Sequence, residues 1–328
     1  MVKKKILITG GSGYIGSRLS LYLSKKGFDI IPLCNSKIPN NREWIQSMHL
    51  VLQGDLRDHA TLNKIESVRP DAIIHLVSLD HNQSGINFQE TLQVNVQATW
   101  ELLSLSSSIE LKKFIYFSTT QVYGQTIENV VTENTKLQPI NAYGLTHKMS
   151  EDLVDFYKRS KNLDAVSLRL SNSYGEPVFH DANCWSLVVN DLCKSAFLHK
   201  KIVLNSDGLK TRDFIHYSTI CSTIEQLLKT EIILKNKAIN LSSGESISLL
   251  SLALLVKKVY QNRFNTSIDI FINRTELLLN GSLEHIDNKL ILSNQLLNTL
   301  IKFEDFELEK GIQKLFDYLV AKYLQKNI

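Results

Sequence analysis

Cysteine is scarce in this 328-residue chain, and the four present, Cys34, Cys184, Cys193 and Cys221, form no CxxC pair. That spacing indicates neither a disulfide framework nor a cysteine zinc site, and it reads as buried, reduced thiols in a cytoplasmic protein. No apolar run approaches the ~18 residues of a membrane span, so no membrane partner is expected. Lys3, Lys4 and Lys5 precede only a short apolar run and then glycines, which excludes a secretory h-region. Charge of one sign is also lacking. The 37 Lys and Arg against 33 Asp and Glu leave a formal +4, so no broad nucleic-acid face is expected. The nine histidines show no HxxxH or HExxH spacing, so no metal is expected. Repeats and low-complexity tracts are absent. What remains is an ordinary globular composition, 43% hydrophobic and 21% charged, with length for about two domains.

Apolar and amphipathic segments alternate along the first half. Lys5–Thr9 reads as a strand, Gly10–Gly13 as a turn, and Tyr14–Lys26 as a helix with Ile15, Leu19, Tyr22 and Leu23 on one face and Gly27 as its stop. Further strands are expected at Asp29–Cys34, Leu50–Leu52, Ala72–Val77, Phe114–Phe117 and Val166–Leu170. Pro32 argues against a regular central strand at the first of these. Helical patterns at 59–67, 88–107 and 141–159 separate them. Strands joined by helical crossovers predict an α/β, doubly wound parallel sheet. Beyond residue 172 helices are expected at 184–198, 218–230, 248–262, 289–300 and 308–325, with strands near 201–204, 213–217, 238–241 and 267–272. The expected division is a nucleotide-binding Rossmann domain over 1–172 and a smaller mixed α/β substrate domain over 173–328, with 213–245 able to return to the first.

The string Thr9-Gly10-Gly11-Ser12-Gly13-Tyr14-Ile15-Gly16 joins the first strand to the first helix. Gly10 permits the tight turn, Gly13 lets backbone approach a pyrophosphate, and Gly16 lets helix meet sheet. Uncapped N–H groups and the helix dipole then face phosphate. The acidic residue that would bind the ribose hydroxyls of NAD is missing at the end of the second strand. Asn35, Ser36, Lys37 and Arg42 stand there instead. Hydroxyl, amide and cation suit a 2′-phosphate, which favours NADP(H) and leaves NAD(H) possible.

With these motifs the sequence resembles the extended short-chain dehydrogenase/reductase family, the nucleotide-sugar epimerases, dehydratases and ketoreductases. Further segments carry the resemblance: Gly54-Asp55-Leu56-Arg57-Asp58, Ile74-His75-Leu76-Val77, Asn95-Val96-Gln97-Ala98-Thr99, Phe117 through Gly124, Tyr143-Gly144-Leu145-Thr146-His147, Arg169 through Gly175, and Gly208 through Phe214. It implies cofactor contacts from Gly10, Gly13, Tyr14, Ile15, Gly16, Asp55, Leu56 and Leu76, with Asp55 on the adenine. Asn95 would be structural beside the active site. Thr119, Thr120, Asn172 and Arg212 would meet a nucleotide-diphosphate sugar. The match weakens over the last 60 residues, where Asp287-Asn288-Lys289 resembles the family's D-x-S/K segment but the usual Gly-Trp-x-Pro is absent.

Hydride transfer at a sugar carbon requires proton transfer at its oxygen. A phenol can serve, provided a cation lowers its ordinary pKa of about 10. The resemblance assigns Tyr143 as acid/base and Thr119 as its hydroxyl partner. The family's lysine, one helical turn beyond the tyrosine, is here His147, and Lys148 points about 100° away. Three readings stay open: a protonated His147 replaces the lysine and bonds the nicotinamide ribose, a shifted helix lets Lys148 serve, or catalysis is lost and a nucleotide-binding protein remains. The acidic pair of the 4,6-dehydratases is here Thr120 and Gln121, which argues against water elimination. The expected activity is therefore an NAD(P)-dependent 4-ketoreductase, with an epimerase retaining NAD as the alternative; the resemblance alone implies a place in deoxysugar or polysaccharide biosynthesis. Homodimerisation through helices 88–107 and 141–159 follows from the same resemblance. Asp80 through Ser84 reads as a polar loop at the sheet's active end, able to touch substrate or only solvent.

Overall fold

Seven short segments assemble into one parallel sheet: β1 (Lys5–Thr9), β2 (Asp29–Cys34), β3 (Leu52–Gln53), β4 (Ala72–His75), β5 (Lys113–Thr119), β6 (Ala165–Leu170) and β7 (Ala238–Leu241). The computed structural model describes residues 3–125, 128–230, 237–272, 275–276 and 290–324. The spatial order is β7-β6-β5-β4-β1-β2-β3. The chain runs outward from β1 to β3, then restarts on the other side at β4. This reversal opens a crevice at the carboxyl ends of β1 and β4, where open α/β sheets bind ligands.

The strands are mostly apolar because both faces are covered. Ile6, Ile8, Ile30, Ile74 and Ile115 pack against Leu19 and Leu23 of the first helix, Tyr14–Lys25. The alternate residues Leu7, Ile31, Ile73, Phe114 and Tyr116 pack on the other face against Leu102, Leu103 and Val154. The fold is the expected doubly wound Rossmann sheet.

Pro32 does not break β2, which pairs with β1 through the register Ile8↔Pro32. The Ile30 and Cys34 carbonyls accept from His49 and Gly54 on the β3 side. Backbone alternation turns position 32 the same way. Its missing donor costs little, because β3 pairs only with Leu33 and Cys34. β3 itself lies at Leu52–Gln53 rather than Leu50–Leu52, and β4 ends at His75, two residues short of the expected Val77. The expected 88–107 helix divides into Phe88–Thr91, a π-helical turn Leu92–Gln97, and Ala98–Ser108.

A second core lies under helices Val188–His199, Leu249–Phe264 and Leu308–Leu324, with Val189, Leu192, Val256, Leu315 and Phe316 buried. The helix Tyr217–Lys229 belongs instead to the first core, through Ile220, Ile224 and Leu227. The expected 289–300 helix shortens to Gln295–Leu300 after a two-residue strand, Ile291–Leu292. Asp287, Asn288 and Lys289 lie outside the described residues. The four cysteines are buried and free. Among the described residues no helix is long and apolar enough to cross a membrane.

Candidate active site

The turn after β1 is shaped by close backbone approach. Gly10 adopts φ +69°, and a Cβ on Gly16 would lie 2.1 Å from the Gly10 carbonyl oxygen. Gly11 abuts β2, where a Cβ would sit 2.3 Å from Cβ of Pro32. The first helix begins at Tyr14 behind Gly13, with no side chain capping its N–H groups. Those donors open towards a cleft of about 620 Å³ lined by Ser12, Gly13, Asn35, Ser36 and Lys37. A cradle that no Cβ can enter, beside an uncapped helix start, fits a dinucleotide pyrophosphate.

Not every residue expected there faces that cleft. Tyr14 Oη donates to the Gly175 carbonyl at 2.9 Å, so its ring ties the turn to the second core instead. Ile15 packs against the first core, and Leu56 is buried within the other layer. The Asp55 carboxylate is engaged by Arg57, with Nη2 at 2.6 Å, and that partner holds its pKa below the ordinary carboxylate range. Leu76 lies against Gly10, 3.5 Å from where a Cβ would project. Arg42 is exposed on a separate short helix, Arg42–Gln46. Lys37 is exposed and lies 4.0 Å from Asp181.

The opposite wall is the helix Ala142–Lys161. Asn141 caps it, accepting from the Gly144 N–H at 2.8 Å, which places Tyr143 in the first turn. The hydroxyls of Thr119, at the end of β5, and Ser78 stand close enough to the Tyr143 phenol to act on its pKa. Burial and the nearby Asp80 carboxylate push it up to about 12, against the lowering effect of those two hydroxyls.

His147 stands one turn on, with its ring 4.4 Å from that of Tyr143 in an edge-to-face arrangement. It is 2% exposed. Its Nδ1 shares a hydrogen bond with Tyr116 Oη at 2.8 Å, while Nε2 is buried without a protein partner. Burial pulls its pKa down to about 3. The imidazole is therefore neutral near neutral pH, which corrects the expectation of a protonated His147. Lys148 does not replace it either. Its Nζ lies 3.2 Å from Asp152 on the outer face of the helix.

Sequence reading missed Tyr116 and the anchors of this helix. Tyr116 and Ser118 share one face of β5, and His147 and Glu151 share the facing side of the helix, so period two meets period four. Ser118 Oγ donates to Glu151 at 2.6 Å, and Arg169 grips the same carboxylate through Nε and Nη2. Both members of that pair are at most 3% exposed. Removing either would strand a buried charge, at about 3–5 kcal/mol. Asn95 acts from the π-helical turn, accepting from Leu79 N–H at 2.8 Å and donating to Thr146 Oγ1 at 3.0 Å. It thus ties the loop after β4 to the tyrosine helix.

A second cleft of about 430 Å³ adjoins Tyr143, lined among others by His81, Thr120, Gln121, Asn172, Lys210 and Arg212. Asn172 Nδ2 donates to the Asp213 carbonyl at 2.8 Å. The Asp213 carboxylate takes Ser243 and Gly244 N–H groups, which leaves Arg212 turned to the cleft rather than paired with its neighbour.

A family model described as the NAD dependent epimerase/dehydratase family matches residues 6–242. Among curated proteins, the chain is 29% identical over 250 residues to a dTDP-D-glucose 4,6-dehydratase of Dictyostelium discoideum, covering 69% of this chain and 56% of that relative. It is 26% identical over 254 residues to a putative UDP-glucose 4-epimerase of Methanocaldococcus jannaschii, covering 77% of this chain and 81% of the relative. Among solved structures, the fold matches a UDP-glucuronic acid 4-epimerase of Bacillus cereus, in complex with UDP-glucuronic acid and NAD, at a TM-score of 0.78 and 23% identity, over 97% of this chain and 99% of that one. A UDP-N-acetylglucosamine 4-epimerase of Methanobrevibacter ruminantium matches at 0.81 and 20% identity, over 98% and 100% of the two chains.

Proposed function

We propose that this chain, which belongs to the NAD dependent epimerase/dehydratase family, is a reductase of a 4-keto nucleotide-diphosphate sugar. The observation that carries the reading is the company of Tyr143. Two hydroxyls and a carboxylate surround its phenol, and the family's lysine position holds a neutral His147. A phenol held near 12 stays protonated at neutral pH. It can donate to a carbonyl oxygen that is gaining charge, which is what reduction asks. Epimerisation starts from the alcohol and asks for a phenolate first, which a nearby cation would supply and His147 does not.

The glycine turn, Leu76 and the uncapped helix start would hold the dinucleotide, and its reduced nicotinamide would supply the hydride. The buried Nε2 of His147 fits a ribose hydroxyl, as donor or acceptor according to the tautomer that Tyr116 selects. Asn35, Ser36 and Lys37 on the same cleft support NADP(H) over NAD(H). Arg212 and Lys210 would meet phosphate oxygens, and Thr119 with Tyr143 would meet the sugar oxygen. Thr120 and Gln121, which line the cleft, offer no acid/base pair for dehydration. The helices Ala98–Ser108 and Ala142–Lys161 leave Trp100 and Phe156 exposed at 41% and 46%, which supports pairing with a second copy there. A deoxysugar for a surface polysaccharide is the product class that the resemblance suggests.

A second reading, an epimerase with retained NAD, is favoured by the segment around Phe179. Phe179 packs edge-to-face on Trp44 at 5.4 Å, and Asn183 Nδ2 donates to Asp80 at 3.1 Å. That strap lines the dinucleotide cleft and would slow cofactor exchange. Mass spectrometry of nucleotide released from denatured protein separates the two. An exchanging site, with NADPH oxidised on addition of UDP- or dTDP-4-keto-6-deoxyglucose, is the expected result. Stoichiometric NAD with no NADPH oxidation would overturn it, and an inert protein that binds nucleotide would leave the non-catalytic reading.

A further inference from the structure

The dinucleotide cleft holds a carboxylate that no motif supplies. Among the described residues lining it, Asp181 is the one acid, against the cations of Lys37 and Lys322. The acid that binds an adenosine ribose in a Rossmann fold ordinarily stands at the end of the second strand. Here that strand ends at Cys34, and Asn35, Ser36 and Lys37 follow it. Asp181 belongs to the opposite wall, to the strap around Phe179, and its carboxylate lies 4.0 Å from Lys37 Nζ. An acid therefore does reach the ribose end of the cleft, from across it rather than from β2.

The strap holds residue 181 in a fixed place. At its start Arg18, in the first helix, donates through Nε to the Glu176 carbonyl at 2.7 Å and through Nη2 to the Pro177 carbonyl at 3.0 Å. Phe179 is buried in a cluster with Cys34 and Trp44. The turn closes with the Ala182 N–H on the Phe179 carbonyl at 3.1 Å, and the Ala182 carbonyl accepts from the Cys184 N–H at 2.8 Å. The His180 carbonyl accepts from Trp185 Nε1 at 3.1 Å. Backbone is thus bonded on both sides of Asp181, while its side chain is 79% exposed on the cleft. A structural aspartate in such a turn would bond the turn's own N–H groups. This one bonds none of the described ones, and an exposed pair at 4.0 Å is weak enough for either member to exchange it for a ligand. We propose that Asp181 is the ribose-binding acid of this protein and sets its coenzyme specificity together with Lys37. Towards NAD(H) its carboxylate accepts from the adenosine ribose hydroxyls, a charge-assisted bond about twice as strong as a neutral one. Towards NADP(H) it opposes the 2′-phosphate that Lys37 attracts. The pair grades the two coenzymes instead of excluding one.

The inference rests on the dinucleotide reading of this cleft, and one set of binding measurements tests both. Dissociation constants are measured by calorimetry for NADH, NADPH and the NADH analogue lacking the adenosine 2′-hydroxyl. The proteins are wild type, Asp181→Ala and Asp181→Asn, each checked for folding by its melting temperature. Wild type is expected to bind both coenzymes. Asp181→Ala should weaken NADH by about tenfold or more and tighten NADPH by up to about fivefold. The analogue should lose less on that substitution than NADH does, because one of the bonds is already missing from it. Asp181→Asn keeps an acceptor without the charge, so it should lose less NADH affinity while gaining NADPH affinity alike. It carries the test should Asp181→Ala fail to fold, the readout being a rise in the ratio of the NADH to the NADPH dissociation constant. An unchanged ratio in the folded variants, including equal weakening of both coenzymes as a merely structural turn would give, overturns the role of Asp181. Wild type that binds NADPH but not NADH overturns that role and keeps the NADP(H) preference. Wild type that binds only NADH, and loses it in Asp181→Ala, upholds the role and overturns the preference. Binding of neither coenzyme overturns both.

Discussion

The two walls of the dinucleotide cleft are built on different principles. The glycine wall is made of backbone, and its specification is steric: Gly16 against the Gly10 carbonyl, Gly11 against Pro32. The helix wall is made of side chains, and its specification is electrostatic: a phenol and an imidazole whose protonation depends on what buries them. The first tolerates almost no change of residue and keeps its function through shape alone. The second can keep its shape while its chemistry shifts, as the neutral imidazole at the lysine position illustrates.

That contrast can be broken from the helix side first. Tyr143→Phe removes the proton donor and leaves the cleft's shape. Turnover with NADPH should fall by about 10²–10⁴-fold while nucleotide affinity, measured by calorimetry, stays that of the wild type. His147→Lys restores a cation one turn from Tyr143. A cation so placed lowers an acid's pKa by about 1–3 units. Oxidation of the product alcohol needs phenolate, so the rise of its rate with pH should move to lower pH by about that amount. An unmoved profile would mean that the buried neighbour of Tyr143 does not govern it.

The glycine side should answer in stability. Gly16→Ala drives a Cβ into backbone, and overpacking of this kind costs about 1–3 kcal/mol. It should lower the melting temperature and weaken nucleotide binding together, because one clash distorts the turn that makes the phosphate donors. Tyr143→Phe, by contrast, should leave nucleotide binding intact.

Acid sharpens the comparison further. His75 and His147 are fully buried, and burial pulls both to about 3. Below their ordinary pKa of about 6.5 the unfolded chain takes up protons that the fold cannot. Stability should therefore be greatest above that pH and decline as pH falls towards 3, at up to about 1.4 kcal/mol per unit for each imidazole. Urea midpoints across this window would report it, and His147→Gln should flatten the slope. The smallest effect is expected at Lys37. An exposed ionic contact is worth about 0–1 kcal/mol, so Lys37→Ala should raise KM for NADPH by at most about fivefold and leave KM for NADH unchanged.

Legibility in the sequence followed the same divide. Glycine spacing, strand alternation and the order of segments gave the sheet and the first turn, because those features depend on backbone freedom and period. Tyr143 and Thr119 were singled out from motif, and the Thr119 hydroxyl stands near enough to the phenol to act on its pKa. The charge of His147 was not legible, because it follows from burial that only the packed fold creates. Pro32 misled for a related reason: its tolerance comes from the shortness of β3, a property of the neighbour. The π-helical turn that brings Asn95 onto both Leu79 and Thr146 leaves no periodic signature in a stretch so short.

β7 reaches the sheet only after the chain has left it to build much of the second core. On the ribosome, β6 therefore emerges long before the strand that covers its edge, and its backbone donors wait exposed through the synthesis of helix Val188–His199. A nascent chain paused in that interval presents an open parallel edge to its neighbours. Slow decoding between residues 171 and 237 would thus be a folding hazard, and a cut there would yield two fragments that each lack what the other must supply.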